Sequence, residues 1–272
     1  MVDVRIRPLQ SFKEYEGCVE IQRQVWRHAD LDITPVHQFC ISIQTGAILL
    51  GAFAGKTLAG YVYSFPAVFN ARHCQHSHHL AVLPRFQRLG IGKKLKYAQW
   101  QEALKRDYDL ITWTFDPLLA RNANLNLRKL GVVGRTYLHD FYGRTPALTL
   151  DSGVSTDRLL VEWWIRSNRV KGRIAKSEAP PDAVRLPKAV EQREGGIYPK
   201  IVPDRLNLVL DQRRILVELP KNIRELKTIP GAIVLWQKAV RIAFQHYFAE
   251  GYQLDDFLFG ERSFYVLKKT AV

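Results

Sequence analysis

Cysteine and methionine are scarce in this chain, carboxylates are outnumbered by cations, and no apolar run is long. Three cysteines among 272 residues, Cys18, Cys40 and Cys74, are an odd number with no C-x-x-C pair. Neither a disulfide framework nor a zinc ribbon is indicated, and a reducing compartment, the cytoplasm, is expected. The longest apolar runs, such as Ala47 to Ala54, stay well short of the roughly 18 residues a membrane span needs. Asp3, Arg5 and Arg7 alternate through the N-terminus, which therefore has no apolar stretch of the kind a signal peptide carries.

What is present describes a globular protein: 47% hydrophobic and 24% charged residues, enough for a sizeable core. At about 150 residues per domain the length allows one large domain or two small ones. Lys plus Arg number 40 against 26 for Asp plus Glu, a formal charge of +14 that points to a polyanionic ligand or partner. Before Asp151 there are 19 basic and 11 acidic residues, so the excess is spread over both parts of the chain and no nucleic-acid-binding arm stands out. Charge alone supports a nucleic-acid partner, which is not expected.

Val2 to Leu9 alternates apolar and charged residues and predicts a half-buried strand. Ser11, with Glu14 three residues on, is a capping-box start for a helix carrying Cys18, Ile21, Val25 and Trp26 on one stripe. Thr34 and Pro35 predict a second helix start, with Phe39 and Ile43 inward. Ile48 to Ala54 and Leu58 to Phe65 form a hairpin across Gly55 to Thr57, and Cys74 to Leu83 is a third strand. Gly90 to Lys105 reads as a helix and Leu110 to Phe115 as a buried strand. Leu118 to Leu130 reads as a helix closed by Gly131, and Gly134 to Tyr142 as a strand. Strands alternating with helices from Leu80 onward predict parallel pairing. Arg166 to Pro199 is rich in Lys, Arg, Glu, Pro and Gly and reads as an exposed connector. Beyond it come a strand (Ile215 to Leu219), a long helix (Gly231 to Ala249) and two strands (Tyr252 to Phe259, Ser263 to Lys268). Leu110 to Ile165 has the same order if Arg158 to Ile165 is a strand, a pattern-level half-repeat.

The chemistry concentrates in Leu80-Ala81-Val82-Leu83-Pro84-Arg85-Phe86-Gln87-Arg88-Leu89-Gly90-Ile91-Gly92-Lys93-Lys94-Leu95, an apolar strand, a basic turn with two glycines and a helix start. A helix N-terminus leaves backbone N–H groups unpaired and carries the positive end of the helix dipole, so it can hold a phosphate group. Gly90 and Gly92 remove side chains that would block close approach, and Arg85, Arg88, Lys93 and Lys94 add charge. Neither the dinucleotide fingerprint G-x-G-x-x-G nor the P-loop G-x-x-x-x-G-K-[ST] occurs.

With Leu80, Val82 and Pro84 on the strand and Gln87, Gly90 and Gly92 in Q/R-x-x-G-x-G/A, this stretch resembles the acyl-CoA signature of the Gcn5-related N-acetyltransferase (GNAT) superfamily. The element order from Val2 to Ile165 is similar to that fold. The resemblance implies an α/β architecture, a mixed central sheet flanked by helices, over residues 1–165. A connector at 166–204 and a C-terminal extension at 205–272 resembling the second half of the fold would follow. It further implies acetyl-CoA, or another acyl-CoA, as cofactor. The pyrophosphate would lie on Gln87, Arg88, Leu89, Gly90, Ile91, Gly92 and Lys93, and the pantetheine and thioester along Leu80, Ala81 and Val82. The implied activity is transfer of acetyl to a small-molecule or protein amine by direct attack, both reactants held in one cleft. A CoA-binding sensor or scaffold without transferase activity is the alternative, because alignment of Lys129-Leu130-Gly131 with the family's helix ending puts Leu127 where many members have an acidic Tyr. Thr114 to Gly131 and Tyr142-Gly143 look like a branch of the superfamily with a long C-terminal extension.

Tyr137, Tyr142 or a water could replace the missing acid; Tyr142 is the site residue taken forward. For the base, His76, His78 and His79 lie on or just before the thioester strand, and His78 is the choice. Cys74, His76 and His78 share a face in a regular strand, a spacing also seen in zinc sites, but no carboxylate or fourth ligand accompanies them, so no metal is expected. The superfamily often bulges this strand, which would change the facing. Asp116, at the carboxyl edge of a parallel strand, could bind the amine or cap the next helix, the cap being favoured. Asn122 is the second substrate-binding candidate, from a run with Asn124 and Asn126 that is poor for a helix interior. The C-terminal region could serve as a lid, as part of the acceptor pocket or as an exchanged element in a dimer.

Overall fold

A charged-apolar alternation makes β1 (Val4–Pro8), and Ser11 starts α1 (Phe12–Trp26) by accepting the Glu14 N–H on its hydroxyl at 3.4 Å. The Glu14 carboxylate reaches back to the Gln10 N–H and to Arg7, so the box closes one residue earlier than the sequence pattern implies. This computed structural model describes residues 3–27, 30–143, 154–175, 179–182, 185–191, 206–220, 223–226, 229 and 231–270. The expected strand start at Val2 and the whole stretch 192–205 of the expected connector lie outside them. The chain divides into two compact units, Met1–Trp113 and Thr114–Val272. The division falls within β5 (Leu110–Phe115), so the stretch from Thr114 to Ile165 groups with the C-terminal elements. Among the described residues no helix is long and apolar enough to cross a membrane.

In the first unit, α2 (Val36–Gln44), β2 (Ile48–Ala54), β3 (Thr57–Phe69), β4 (Arg72–Val82) and α3 (Ile91–Lys105) follow in the expected order. The expected Thr34 cap of α2 is not made. Gln22 claims both the Thr34 N–H and its carbonyl, and Pro35 stands at the N-cap without a side-chain bond. Strands β1, β2, β3 and β4 pair antiparallel in that order, and β5 joins β4 in parallel at Gln75↔Ile111 and His76↔Thr112. One sheet face packs Cys18, Ile21 and Phe39 from the first two helices against Leu49, Tyr61, Tyr63 and Ala81. Phe39 meets Tyr63 edge-on at 5.1 Å, so truncating it to Ala would cost about 3–5 kcal/mol.

The second unit orders its strands β7 (Arg158–Trp164), β6 (Val133–Leu138), β10 (Tyr252–Leu258), β11 (Ser263–Lys269), β9 (Arg214–Leu219) and β8 (Lys188–Val190). The β6–β7 and β10–β11 hairpins meet antiparallel at Leu254↔Gly134. The helix expected over Leu118 to Leu130 is instead one turn, α4 (Ala120–Ala123), running into a π-helical turn over Asn124–Lys129. Gly131 does close it, at φ +75°, where a Cβ would meet the Arg173 side chain at 2.8 Å. The strand expected to Tyr142 ends at Leu138, because Asp140 turns at φ +46° and its carboxylate accepts the Thr156 N–H. Within the expected connector, Ser167 caps α5 (Asn168–Ile174), and β8 pairs with β9. A short helix, α6 (Ile223–Leu226), precedes α7 (Ala232–Ala249), which buries Trp236, Val240, Phe244 and Tyr247.

Candidate functional site

Strand β4 ends at Val82, Leu83 hands its N–H to the Ala59 carbonyl, and Pro84–Phe86 form a 3-10 turn. Gln87 folds back so that its amide donates to the Val82 carbonyl at 3.0 Å. Arg88 at φ +67° and Gly90 at φ +76° then swing the chain into α3, with Gly90 as the N-cap. Lys94 is the first residue of the helix to donate back, to the Gly90 carbonyl. The N–H groups of Leu89, Gly90, Ile91, Gly92 and Lys93 find no protein acceptor among the described residues. They form a run of donors at the positive end of a 15-residue helix. A Cβ on Gly92 would touch only Leu80 at 3.9 Å, so packing does not demand glycine there and the space before the turn is open. Ile91 is buried and anchors the turn, whereas Gln87 to Gly90 are exposed.

The strand and helix flanking this turn are clamped together from below. Lys96, 2% exposed on α3, donates to Ser77 Oγ at 3.1 Å and to Gln99 Oε1 at 2.7 Å, and its Nζ lies 3.7 Å from the centre of the Trp113 ring. Burial holds its pKa well below the usual lysine range. On the open side, β4–β5 pairing stops at His76↔Thr112 while β4 runs on to Val82. The main chain around Leu80, Ala81 and Val82 thus lies on a stretch of β4 beyond that pairing, where an extended ligand can add itself as a strand would.

The strand is bulged at the histidines. Tyr63 pairs with His79 and Ser64 with Ser77, leaving His78 as the extra residue. The bulge brings His78 and His79 side by side, stacked at 4.3 Å, with Tyr63 and Phe65 against His78 at 6.2 and 5.7 Å. Their environments differ. His79 is buried with its Nδ1 3.0 Å from the Tyr61 hydroxyl, and His76 lies 3.0 Å from Thr112 Oγ1. Burial, with His78 and Lys96 nearby, pushes the His76 pKa down to about 4, so it is a poor base at neutral pH. His78 is exposed and lines a cavity of about 490 Å³ with Gln38, Ser42, Tyr63 and Phe65, whose rim includes Thr34, Thr45 and Pro66. Tyr63 donates to Ser42 Oγ at 2.7 Å and Gln38 donates to it at 3.1 Å, so α2 and β3 are tied across the cavity floor. Among the described residues the lining holds no carboxylate and no lysine or arginine. Sequence reading missed Gln38, Ser42 and Tyr63; the i, i+4 spacing of the first two on α2 was the available signal. No group of three or more His, Cys, Asp or Glu among the described residues is arranged to hold a metal.

The remaining candidates belong to the second unit. Asp116 Oδ1 accepts the Leu118 N–H at 2.8 Å, which is a capping geometry, and Asn122 is exposed with its N–H on the Leu119 carbonyl. Tyr142 is 44% exposed, its hydroxyl 3.0 Å from Thr114 Oγ1 and its ring under the Arg158 guanidinium. Tyr137 does not suit an acid's role. It donates to Asp157 at 2.6 Å, and burial together with that carboxylate pushes its pKa far up. Leu127 is fully buried.

Residues 12–131 match the Acetyltransferase (GNAT) family. Among solved structures, yncA from Salmonella typhimurium, solved with its cofactor acetyl-CoA, is similar at TM-score 0.50 and 16% identity, covering 66% of this chain and 99% of its own. The ribosomal-protein-S18-alanine N-acetyltransferase from Escherichia coli gives 0.48 at 16% identity over 60% of this chain and 94% of its own. A GNAT-family acetyltransferase from Streptococcus pneumoniae gives 0.48 at 18% identity over 59% and 98%. No curated protein matches the sequence.

Proposed function

We propose that this chain, whose residues 12–131 match the GNAT acetyltransferase family, is an acyl-CoA-dependent N-acyltransferase acting on an amine with a neutral, largely apolar body. The observation that carries the reading is the run of unclaimed N–H groups from Leu89 to Lys93 beside the stretch of β4 that continues past its pairing with β5. These amides, with the Arg88 and Lys93 side chains, would hold the pyrophosphate of acetyl-CoA or another acyl-CoA, and the Leu80–Val82 main chain would align its arm. When bound, the cofactor supplies an activated acyl group that an amine can take directly, with no protein nucleophile. Acceptor chemistry follows from the cavity beside His78. With no carboxylate among the described residues of its lining it has little to offer a polyamine, whereas Tyr63 and Phe65 suit an apolar or aromatic body and Gln38 and Ser42 suit a neutral polar group. His78 would take the ammonium proton of the acceptor, since His76 is too weak a base and His79 is buried on Tyr61. Tyr142, with its exposed hydroxyl, Asp116 and Asn122 remain proposed site residues of the second unit.

A second reading, a CoA-binding sensor without turnover, is favoured by the buried Leu127 at the usual acid position. Calorimetric titration of the full chain with acetyl-CoA at two salt concentrations, followed by assay of thiol release with an amine panel, tests both. One-to-one binding with turnover of neutral aromatic amines in preference to polyamines is expected. Binding without turnover of any amine selects the sensor, and no binding at millimolar acetyl-CoA overturns both readings.

A further inference from the structure

The second unit contains a charged cavity of about 320 Å³ that the acyltransferase reading does not use. Arg169 and Arg173 enter it from successive turns of α5, Arg214 from the start of β9 and Lys268 from β11. Asp255 and Asp256 enter from β10, where the register slips between Leu254 and Asp256, so both carboxylates line one cavity. Each carboxylate is bracketed by two guanidinium groups. Asp255 accepts from Arg169 at 3.1 Å and Arg214 at 3.3 Å, and Asp256 accepts from Arg128 and Arg173, both at 2.9 Å. Among the described residues that line the cavity, four cations, Arg169, Arg173, Arg214 and Lys268, stand against two carboxylates, an excess of two positive charges.

The cations are not equally engaged. Arg169 gives its Nε to the Gly131 carbonyl and its Nη groups to Asp255. Arg214 gives only its Nε, and among the described residues its two Nη groups and the Lys268 Nζ donate to no protein acceptor. Concentrated positive charge in a half-enclosed cavity is costly until an anion takes those donors, and fixed guanidinium groups behind it raise the local potential.

We propose that this cavity binds a phosphate group, free or on a small molecule, held by the Arg214 Nη groups and the Lys268 ammonium with Arg169 and Arg173 locked behind them. A phosphate monoester, carrying about −1.5 to −2 charge at pH 7, matches the excess of two better than a single carboxylate does. The site is built wholly from residues of the second unit and stands whether or not the chain is an acyltransferase.

The test is calorimetric titration of the full chain with inorganic phosphate at low ionic strength, with and without saturating CoA to occupy the turn before α3. One phosphate is expected to bind in the presence of CoA, and the Arg214→Ala/Lys268→Ala variant should bind it at least tenfold more weakly with its CoA affinity unchanged. Lys268→Met alone, which removes no protein hydrogen bond, should weaken phosphate severalfold and keeps the test valid if the double variant folds poorly. Equal phosphate affinity in wild type and variants, no phosphate binding at all, or full displacement by chloride at matched ionic strength overturns the proposal. Tighter binding of glycerol phosphate than of free phosphate assigns the site to a phosphorylated small molecule, and the reverse order assigns it to the free ion.

Discussion

Two strands in this protein carry the same backbone irregularity and use it in opposite ways. In β4 the extra residue is His78, and the bulge leaves it exposed over a cavity while its neighbour His79 is buried on Tyr61. In β10 the slip at Asp255 puts two consecutive carboxylates into one cavity, where four arginines hold them. A bulge makes adjacent side chains neighbours on one face. Whether they become reactive or structural depends on what the surrounding elements offer. The first unit surrounds the exposed imidazole with apolar rings and hydroxyls. The second offers guanidinium groups, which consume the carboxylates.

The contrast can be broken where it predicts the largest effect, at His78. His78→Gln should lower kcat/KM for the best amine by about 10²–10⁴-fold, the usual weight of a general base, without moving the thermal midpoint; unchanged turnover would remove His78 from the mechanism. Asp256→Ala should do the reverse. Loss of a carboxylate that is 3% exposed, from beside Arg128 and Arg173, should cost about 3–5 kcal/mol in denaturant unfolding while acetyl-CoA affinity is unaffected. Gly92→Asp places a negative charge at the run of free amides where a side chain has room. Acetyl-CoA binding should weaken on the order of a hundredfold, about 2.7 kcal/mol, with stability unchanged. Gly92 is the cleaner position than Gly90, whose φ of +76° would add backbone strain to any substitution.

Acid sharpens the comparison at a smaller scale. His76 is neutral in the folded chain down to about pH 4, whereas an ordinary histidine protonates near 6.5. The unfolded chain therefore binds the extra proton between these values, so the stability contribution is complete above pH 6.5 and is lost as pH falls toward 4. About 2 kcal/mol should be gone by pH 5. Denaturant titrations from pH 7 to 4.5 should show this slope in the wild type and a shallower one in His76→Asn. The smallest effects belong to the serine caps, one in each unit. Ser11→Ala on α1 and Ser167→Ala on α5 should each cost about 1 kcal/mol by chemical denaturation, and a difference of more than twofold between them would show that one helix start is held by tertiary contacts instead.

Much of the element order was legible because its signals are local. Ser11 with a stripe at helical spacing, Gly55 between two apolar runs, and the glycines after Pro84 each act over a few residues. Elements whose form depends on distant partners were read less well. The π-helical turn at Asn124–Lys129 has no period of its own in the sequence, and α5 stands in a stretch that composition assigns to a connector, although Ser167 and the i, i+4 pair Arg169 and Arg173 mark its cap and one face. The strand at Gly134 to Tyr142 was read too long because nothing local shows that the Asp140 carboxylate will be taken by Thr156.

The sequence by itself determined the strand–turn–helix at Leu80 to Leu95, including the positions that need glycine or leave amides unpaired, because helix ends and left-handed turns are short-range properties of the backbone. Tertiary structure alone decided which histidine meets the cavity, which tyrosine is spent on a carboxylate, and where two aspartates share four arginines. A bulge shifts side-chain facing by one residue without changing composition, and a group's proton affinity is set by burial and charges brought close from far along the chain.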